Sequence, residues 1–342
     1  MGRMRRLLIS AVAVLGVHGS APGVATPQTA PVRIRLGTLA PQGTSYHRIL
    51  QEMGERWRVA TNGQVQLTVY AGTMGSEAEL VRRMRVDQLQ AATLTVEGLR
   101  AIDRGVSALQ VMPMVFRTLE EVEFVRAQLE PLLARRMGER GFVVLFWADA
   151  GWVRYFTRRP ALHPEDFRRL RTFATAGDNA QADLMRSAGF PTVSLEWSDV
   201  LTALQTGMID AIPTIPFVGL SSQFYTVADN MLELNWVPLV GATIINRTTW
   251  DRLSAETQAA LRAAAAEAGT QFQARGRTEG DESVAAMRRR GLTVVPVPPD
   301  VEAEWRTVAE SFYPRIRATL VPADMFDEVQ RLLAEYRTSR AR

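Results

Sequence analysis

Among the residues able to do chemistry, Asp210 has the most unusual surroundings. It lies in the run LTALQTGMIDAIPTIP (201–216), which begins with the pattern of a helix and ends with the pattern of a buried strand. A carboxylate among apolar residues can serve as a general acid or base. An aspartate that follows a helix can instead hydrogen bond to the local backbone. We favour the structural role for Asp210 and keep catalysis as the alternative.

The rest of the chain contains no recognisable catalytic or cofactor pattern. The nucleophile elbow, the zinc-protease helix, the dinucleotide fingerprint and the phosphate loop are all missing from the sequence. There is no cysteine, and the chain has three histidines, of which His47 and His163 alone would make a poor metal site. We therefore expect no enzyme activity, no cofactor and no metal.

The first 25 residues have the pattern of a cleavable signal peptide. Three arginines precede an apolar stretch, 7–17, and small residues follow it. The apolar stretch is too short to span a bilayer as a helix. Cleavage after Ala25 is favoured over cleavage after Ala21, which would leave a proline at the new terminus. We expect export to the periplasm, where a chain without disulfides depends on its core for stability.

The charge balance argues against a nucleic-acid partner. The formal net charge is +4, and all basic residues are arginines because the sequence contains no lysine. Removing the three arginines of the signal peptide from 40 basic residues leaves 37 against 36 acidic residues. A nucleic-acid-binding protein would be expected to have a clustered basic face, which this sequence does not show.

Strands and helices alternate along the mature chain, and this predicts an α/β fold. The segments VDQLQAATLT (86–95) and TGMIDAIPTI (206–215) share one form, in which a helix leads through a tight turn into an apolar strand. Strands this apolar are typical of the centre of a parallel sheet. We interpret the two segments as equivalent parts of two lobes, which also suits a chain of 342 residues.

The remaining pattern predicts elements of both kinds. A nearly continuous alanine-rich helical pattern from 254 to 290 predicts a helix of about 55 Å, longer than one lobe. Glycines within it, at 269, 276 and 280, are candidate bends. The other predicted strands are 32–40, 64–72, 89–96, 140–156, the end of 163–175, the start of 239–254 and 292–299. A loop leads into a predicted helix over 109–125, and the other predicted helices begin near 45, 76, 178, 194, 300 and 322.

Two α/β lobes without a catalytic set indicate a binding protein. Ligands of such folds lie at the carboxyl ends of the strands, in a crevice. In this chain that crevice would be the cleft between the lobes, which hinge motion would close.

Several motifs, in order along the chain, resemble those of the solute-binding proteins of tripartite ATP-independent periplasmic (TRAP) transporters, the DctP-type family. The motif ALQTGMIDA, within 203–211, is the most specific of them, and the resemblance covers nearly all of the mature chain. The motifs are PQGTSYH, ATNGQVQLTVYAGTMGSE, VMPMVF, DFRRLRT, ALQTGMIDA and INRTTWDRLSAETQAAL.

The resemblance implies a two-lobed periplasmic binding protein fold with hinge strands and a long helix that bridges both lobes. Lobe I would comprise 31–150 plus 239–278, and lobe II would comprise 151–238 plus 279–330. It implies capture of a small organic solute and delivery to TRAP-type membrane subunits, with no nucleic-acid partner. We expect the receptor to be a monomer.

The chain departs from the family at the residue that usually holds the ligand's carboxylate. Matching DFRRLRTFA to the family places Phe173 where the family usually carries an arginine that binds the carboxylate bidentately. Arg171, two residues earlier, could replace it if the register were shifted, and Thr214 stands where the family usually has an amide. Arg154 matches a second arginine that is often found near the ligand.

The resemblance, with the neighbouring aromatic residues, gives a set of candidate ligand-binding residues. The predicted pocket is more aromatic and less cationic than is usual for the family, so we expect a ligand that is less acidic or more apolar, with Arg154 holding at most one acid. The candidates are Arg154, Phe173, Trp197, Thr214, Tyr46, Glu77, Thr95, Trp152, Phe217 and Trp236.

Two other functions remain open on the sequence. The chain could be a periplasmic ligand-sensing binding module that is not coupled to transport. It could also be an exported enzyme on the same scaffold, with Asp210 as its acid.

Overall fold

The computed structural model describes residues 30–72 and 75–340, so the predicted signal peptide lies outside the described residues. Within them, nine strands form one sheet. The strands are β1 (Val32–Thr38), β2 (Val65–Ala71), β3 (Ala91–Thr95), β4 (Phe142–Thr157), β5 (Thr172–Thr175), β6 (Thr192–Leu195), β7 (Ala211–Thr214), β8 (Asn230–Asn246) and β9 (Thr293–Val295).

The sheet order is β2-β1-β3-β8-β4-β7-β5-β6, with β9 paired to β8. On one side β1 lies between β2 and β3, and all three are parallel. On the other side β5 lies parallel to both β6 and β7. These two parallel groups are the cores of two lobes, and the antiparallel pair β4 and β8 stands between them.

The long strands β4 and β8 cross from one lobe to the other. Their 16 and 17 residues pair from Phe142 with Asn246, at the β3 end, to Thr157 with Asn230, beside β9. Register shifts interrupt the pairing, one of them between Asp149 and Trp152. A shift of this kind bends a strand and increases its twist. The chain therefore has the predicted two-lobed fold with hinge strands, and the exact lobe boundaries stay a prediction.

Helices cover the lobes, and several begin at a hydroxyl side chain. The hydroxyl of Ser76 accepts a hydrogen bond from the backbone N–H of Glu79, and that of Ser254 accepts one from Thr257. The helices are α1 (Ser45–Ala60), α2 (Glu77–Arg85), α3 (Val96–Leu99), α4 (Leu119–Glu139), α5 (Pro164–Phe167), α6 (Asn179–Ser187), α7 (Val200–Thr206), α8 (Pro216–Ser221), α9 (Arg247–Trp250), α10 (Ala255–Arg288), α11 (Pro299–Ser311), α12 (Tyr313–Thr319) and α13 (Ala323–Arg340).

The predicted long helix is α10, which runs for 34 residues without a break. Two of its glycines are contact points with β4 rather than bends. A Cβ at Gly269 would lie 2.9 Å from the Phe146 Cβ, and one at Gly276 would lie 2.5 Å from the Asp149 carbonyl oxygen. Their missing side chains let α10 lie directly against the hinge strand.

Several parts of the chain differ from the sequence prediction. The segment predicted as one helix over 194–207 begins as β6, and only Val200–Thr206 is α-helical. The strand predicted to begin at 239 begins at Asn230. Pro238 lies inside β8, and since proline is uncommon within a strand, the first half of β8 was not predicted. The short helices α3, α5, α8, α9 and α12 were not predicted. No helix of the described residues is long and apolar enough to cross a membrane.

Candidate functional site

A cavity of about 600 Å³ lies where the parallel strands of both lobes end. Threonine is the last residue of four of these strands, β1, β3, β5 and β7, and each of the four threonines lines the cavity. They are Thr38, Thr95, Thr175 and Thr214. This is the position at which ligands bind in open α/β sheets, and it makes the cavity the candidate binding site.

Aromatic rings form much of the cavity wall. The buried Phe173 ring packs edge-on against Trp197, with ring centroids 4.9 Å apart, and Trp197 stacks on Phe224. On the other side, Tyr46 of α1 contacts Phe217 of α8, 5.3 Å away, and Phe272 of α10. Tyr46, Phe217 and Phe272 thus bring lobe I, lobe II and the bridging helix into contact. Such walls suit a ligand with apolar or aromatic surface.

The Glu77 carboxylate is used to hold the loop after β3. It accepts hydrogen bonds from the backbone N–H groups of Thr95, at 2.9 Å, and Gly98, at 2.7 Å, and from the Thr95 hydroxyl. Burial raises the pKa of Glu77 above its ordinary value, and these hydrogen bonds oppose that effect. The hydrogen bonds between Glu77 and Thr95 therefore hold the loop after β3 in place at this edge of the cavity.

Arg100 is the one basic side chain among the described residues that line the cavity. It directly follows α3 in lobe I and forms an ion pair with Asp178, the N-cap of α6 in lobe II, with an Nη2–Oδ2 distance of 2.9 Å. Four carboxylates line the same cavity, those of Glu77, Glu97, Asp149 and Asp178. Its charged groups are therefore mainly acidic, and its guanidinium is already paired.

Glu97 lies in the same region as this ion pair. Burial and the nearby Glu77 raise the pKa of Glu97 to about 7, and Arg100 opposes the shift. Burial likewise raises the pKa of Asp149. These shifts reduce the negative charge that the cavity carries at neutral pH without adding a positive one.

Eight of the ten sequence-derived candidates line this cavity. Their placement brings together residues from both lobes, although contact with a ligand remains a proposal for each of them. The eight are Tyr46, Glu77, Thr95, Phe173, Trp197, Thr214, Phe217 and Trp236.

Arg154 and Trp152 are not among the residues that line this cavity. Val153 and Tyr155, on either side of Arg154, do line the cavity, and the pairing of β4 with β8 is irregular between them. The Arg154 guanidinium lies 3.4 Å from the Asn235 amide oxygen, and its buried Nε has no hydrogen-bond partner within 30–72 and 75–340. Trp152 packs against the hydrophobic core.

Arg171 does not replace the missing clamp, because it is bound to Asp210. The Asp210 Oδ2 accepts hydrogen bonds from the Arg171 backbone N–H and from its Nε, both at 3.0 Å. Although burial raises the pKa of Asp210, these bonds lower it overall. Neither residue lines the cavity. Asp210 therefore has the structural role that was favoured, although its partner is Arg171 of the segment before β5 and not the local backbone.

The sequence interpretation missed Arg100, Glu97 and Asp178. A usable signal was present, since each of them follows the carboxyl end of a parallel strand, β3 or β5, within a few residues. The rule that ligands bind at these ends would have drawn attention to all three.

The comparisons with known proteins agree with this geometry. Residues 36–319 match the family model of the bacterial extracellular solute-binding proteins, family 7. The C4-dicarboxylate-binding periplasmic protein DctP of Rhodobacter capsulatus is 23% identical over 85% of this chain and 86% of its own length.

Solved structures show the same fold. A solute receptor of Bordetella pertussis that binds pyroglutamic acid superposes with a TM-score of 0.80 at 20% identity, over 88% of this chain and 99% of its own. A TRAP periplasmic solute-binding protein of Shewanella oneidensis with bound succinate gives 0.81 at 18% identity, over 89% and 100%.

The chain therefore belongs to family 7 of the bacterial extracellular solute-binding proteins. It is a TRAP-type receptor for small organic solutes, and the members of its family are periplasmic and serve the membrane subunits of TRAP transporters. Export by a cleaved signal peptide stays a prediction.

Proposed function

We propose that this receptor captures an organic solute that is less acidic, and more apolar or aromatic, than a dicarboxylate, and delivers it to TRAP membrane subunits. The observation that carries the proposal is the charge of the cavity. Of the residues that the structure describes, four carboxylates and a single guanidinium line it, and the guanidinium is bound to Asp178. A dicarboxylate placed there would lie among carboxylates and would find this guanidinium already paired. The raised pKa values of Glu77, Glu97 and Asp149 lessen the repulsion but supply no positive charge.

The aromatic wall supports the same ligand class. Phe173 lies in the wall at 4% exposure, at the position where the family resemblance leads one to expect an arginine. A benzyl group offers dispersion contact and no charge, so it favours a ring or an aliphatic group over a carboxylate at this point. Relatives that bind succinate or pyroglutamic acid therefore identify the receptor class, and the ligand of this chain is proposed to differ from theirs.

The geometry also revises the expected role of Arg154. Its guanidinium lies outside the cavity, so the proposal no longer assigns an acid of the ligand to it. Uncharged donors and acceptors, such as the hydroxyls of Thr38, Thr175 and Thr214, suit the polar groups of a neutral solute.

Native mass spectrometry of the freshly purified receptor, followed by calorimetry, would test this function. Any co-purified solute should be neutral or carry one acid at most. In calorimetry, phenylacetamide should bind more tightly than phenylacetate to protein freed of that solute. Tight binding of succinate or D-glucuronate would contradict the proposal.

A binding module that feeds a sensor instead of a transporter would have the same cavity. Genes for two TRAP membrane subunits beside the receptor gene, and loss of solute uptake when the receptor gene is deleted, would support transport. Uptake that continues without the receptor, together with loss of a transcriptional response, would favour sensing.

A further inference from the structure

The ion pair between Arg100 and Asp178 crosses the cleft at the cavity wall. Arg100 comes from the segment that follows β3, and Asp178 from the segment that follows β5, so each partner belongs to a different lobe. Their side chains are 23% and 11% exposed, and both residues line the cavity. The pair is thus a feature of the binding site and not of the outer surface.

Asp178 is held in the orientation that the pair requires. Its Oδ1 accepts a hydrogen bond from the backbone N–H of Gln181, and its own N–H donates to the Thr175 carbonyl oxygen at 3.1 Å. Its carboxylate lies at the N-terminus of α6, where the helix dipole favours a negative charge. Oδ2 is left to meet Arg100.

We propose that Asp178 acts as an internal carboxylate, which pairs with the Arg100 guanidinium and so disfavours acidic solutes at the one cationic side chain that the described residues contribute to the cavity. The inference rests on the proposed function and assigns the specificity to this residue. Asp178 already binds Nη2 of Arg100, so a ligand carboxylate would have to displace it or bind the remaining N–H groups of the guanidinium. The ligand carboxylate would then lie beside Asp178, Glu97 and Glu77, since all three carboxylates lie close together in the cavity wall.

A neutral solute meets no such competition. It can occupy the aromatic part of the cavity while Arg100 and Asp178 stay paired across the cleft. The ion pair then stabilises the contact between the lobes in the loaded receptor. We therefore expect that removing the charge of Asp178 changes the receptor's relative affinity for an acid and for its amide. This change would come in addition to any effect on closure of the lobes.

The test is Asp178→Asn in the mature receptor, freed of co-purified solute, with phenylacetate and phenylacetamide as calorimetric probes. Asparagine caps a helix as well as aspartate does, so α6 should keep its N-terminal bond. We expect phenylacetate affinity to rise by about tenfold to a hundredfold, the effect of a new charge-assisted hydrogen bond. Phenylacetamide affinity should change by about threefold or less.

Two control variants make the result specific. Asp183→Asn removes a carboxylate from the same helix, where it pairs with Arg186 at 56% exposure, and it should leave both affinities unchanged. The double variant Arg100→Gln with Asp178→Asn should lose the gain for phenylacetate. Asp178→Ser, which also provides a helix cap, serves if the asparagine variant is poorly folded.

A well-folded Asp178→Asn variant that binds phenylacetate no more tightly than the wild type would overturn the inference. A gain that persists in the double variant would overturn it as well. If both probes bound equally more weakly, Asp178 would only hold the lobes together, and this result would also contradict the inference. Wild-type protein that already prefers phenylacetate would contradict the proposed function instead, so the two failures can be told apart.

Discussion

The Gly98 backbone N–H donates a hydrogen bond to the Glu77 Oε2 at 2.7 Å, and a Cβ at Gly98 would lie at the same distance from the Glu77 Cβ. The close approach lets one buried carboxylate hold both Thr95 and Gly98. The segment after β3, which carries Glu97 and Arg100 to the cavity, therefore depends on glycine at this position.

We predict that Gly98→Ala lowers the free energy of unfolding by about 1–3 kcal/mol, the usual effect of forcing an extra carbon into a packed site. Solute affinity should fall as well, because Glu97 and Arg100 would shift. Denaturant titration and calorimetry measure the two effects. Gly280→Ala is the matched control, since no heavy atom lies within 4 Å of its added Cβ and alanine favours a helix. Equal stability of the two variants would contradict the packing argument.

Asp210→Asn should reduce the free energy of unfolding by about 1–2 kcal/mol at pH 7, because Arg171 would lose a charged acceptor. The Asp210 pKa is lowered in the folded protein, so its stabilisation is present above the unfolded value near 3.9 and is lost as the pH falls through the folded value. The wild type and the variant should therefore converge in acid. Denaturant titrations across this range measure the difference.

Ligand affinity should be unchanged in Asp210→Asn, because Asp210 lies outside the cavity. A hydrolytic activity of the wild type that disappears in this variant would instead support the enzyme alternative.

Residue types and their order predicted those features that depend on local pattern. The helix α10 could be predicted because 254–290 contains no proline and many alanines. The strands β3 and β7 could be predicted because buried parallel strands are apolar on both faces. The polar ends of these strands, Thr95 and Thr214, were then placed in the cavity by the topology of the sheet.

The position of Arg154 could not be predicted in the same way. The register of β4 shifts between Asp149 and Trp152 and again between Val153 and Tyr155, and these irregularities decide which side chains of the strand face the cleft. Gly151, with φ of +87°, is compatible with such a shift, but a glycine alone does not specify one. The face on which Arg154 lies therefore follows from tertiary pairing.

The ion pair of Arg100 with Asp178 depends on how two lobes approach each other. Each residue is an ordinary charge after a strand, and the sequence contains many such charges. Only the distance across the cleft, 2.9 Å, shows that the guanidinium of this site is already bound.

Trp197→Ala should weaken binding of phenylacetamide by about tenfold while changing the melting temperature little. The side chain is 38% exposed, so it contributes little to the core, yet it packs against Phe173 in the cavity wall. Loss of an aromatic contact of this kind costs roughly 1–2 kcal/mol. Calorimetry gives the affinity and calorimetric unfolding gives the stability.

Tyr70→Ala is the control for this variant. Tyr70 has similar exposure, 37%, and does not line the cavity, so its removal should leave the affinity unchanged. If Trp197→Ala binds as tightly as the wild type, the ligand does not use this wall.

Glu97 should make the receptor less stable as the pH rises towards neutrality. Burial, with Glu77 nearby, raises its pKa to about 7 in the folded protein, whereas an unfolded glutamate titrates near 4.3. Its protonated form is therefore favoured by folding, and the stability associated with it is present below the unfolded value and lost as the pH rises through 7. The loss should be on the order of 2–3 kcal/mol between about pH 4.5 and pH 7.5.

Glu97→Gln tests this directly, because glutamine keeps the shape of the protonated acid and cannot ionise. Denaturant titrations should show similar stability of variant and wild type near pH 4.5, and a more stable variant at pH 7.5. Glu165→Gln, which changes an acid that is 68% exposed, should give a curve parallel to that of the wild type. A Glu97→Gln curve that also runs parallel would mean that Glu97 stays charged beside Arg100, and the cavity would then be still less suited to an anion.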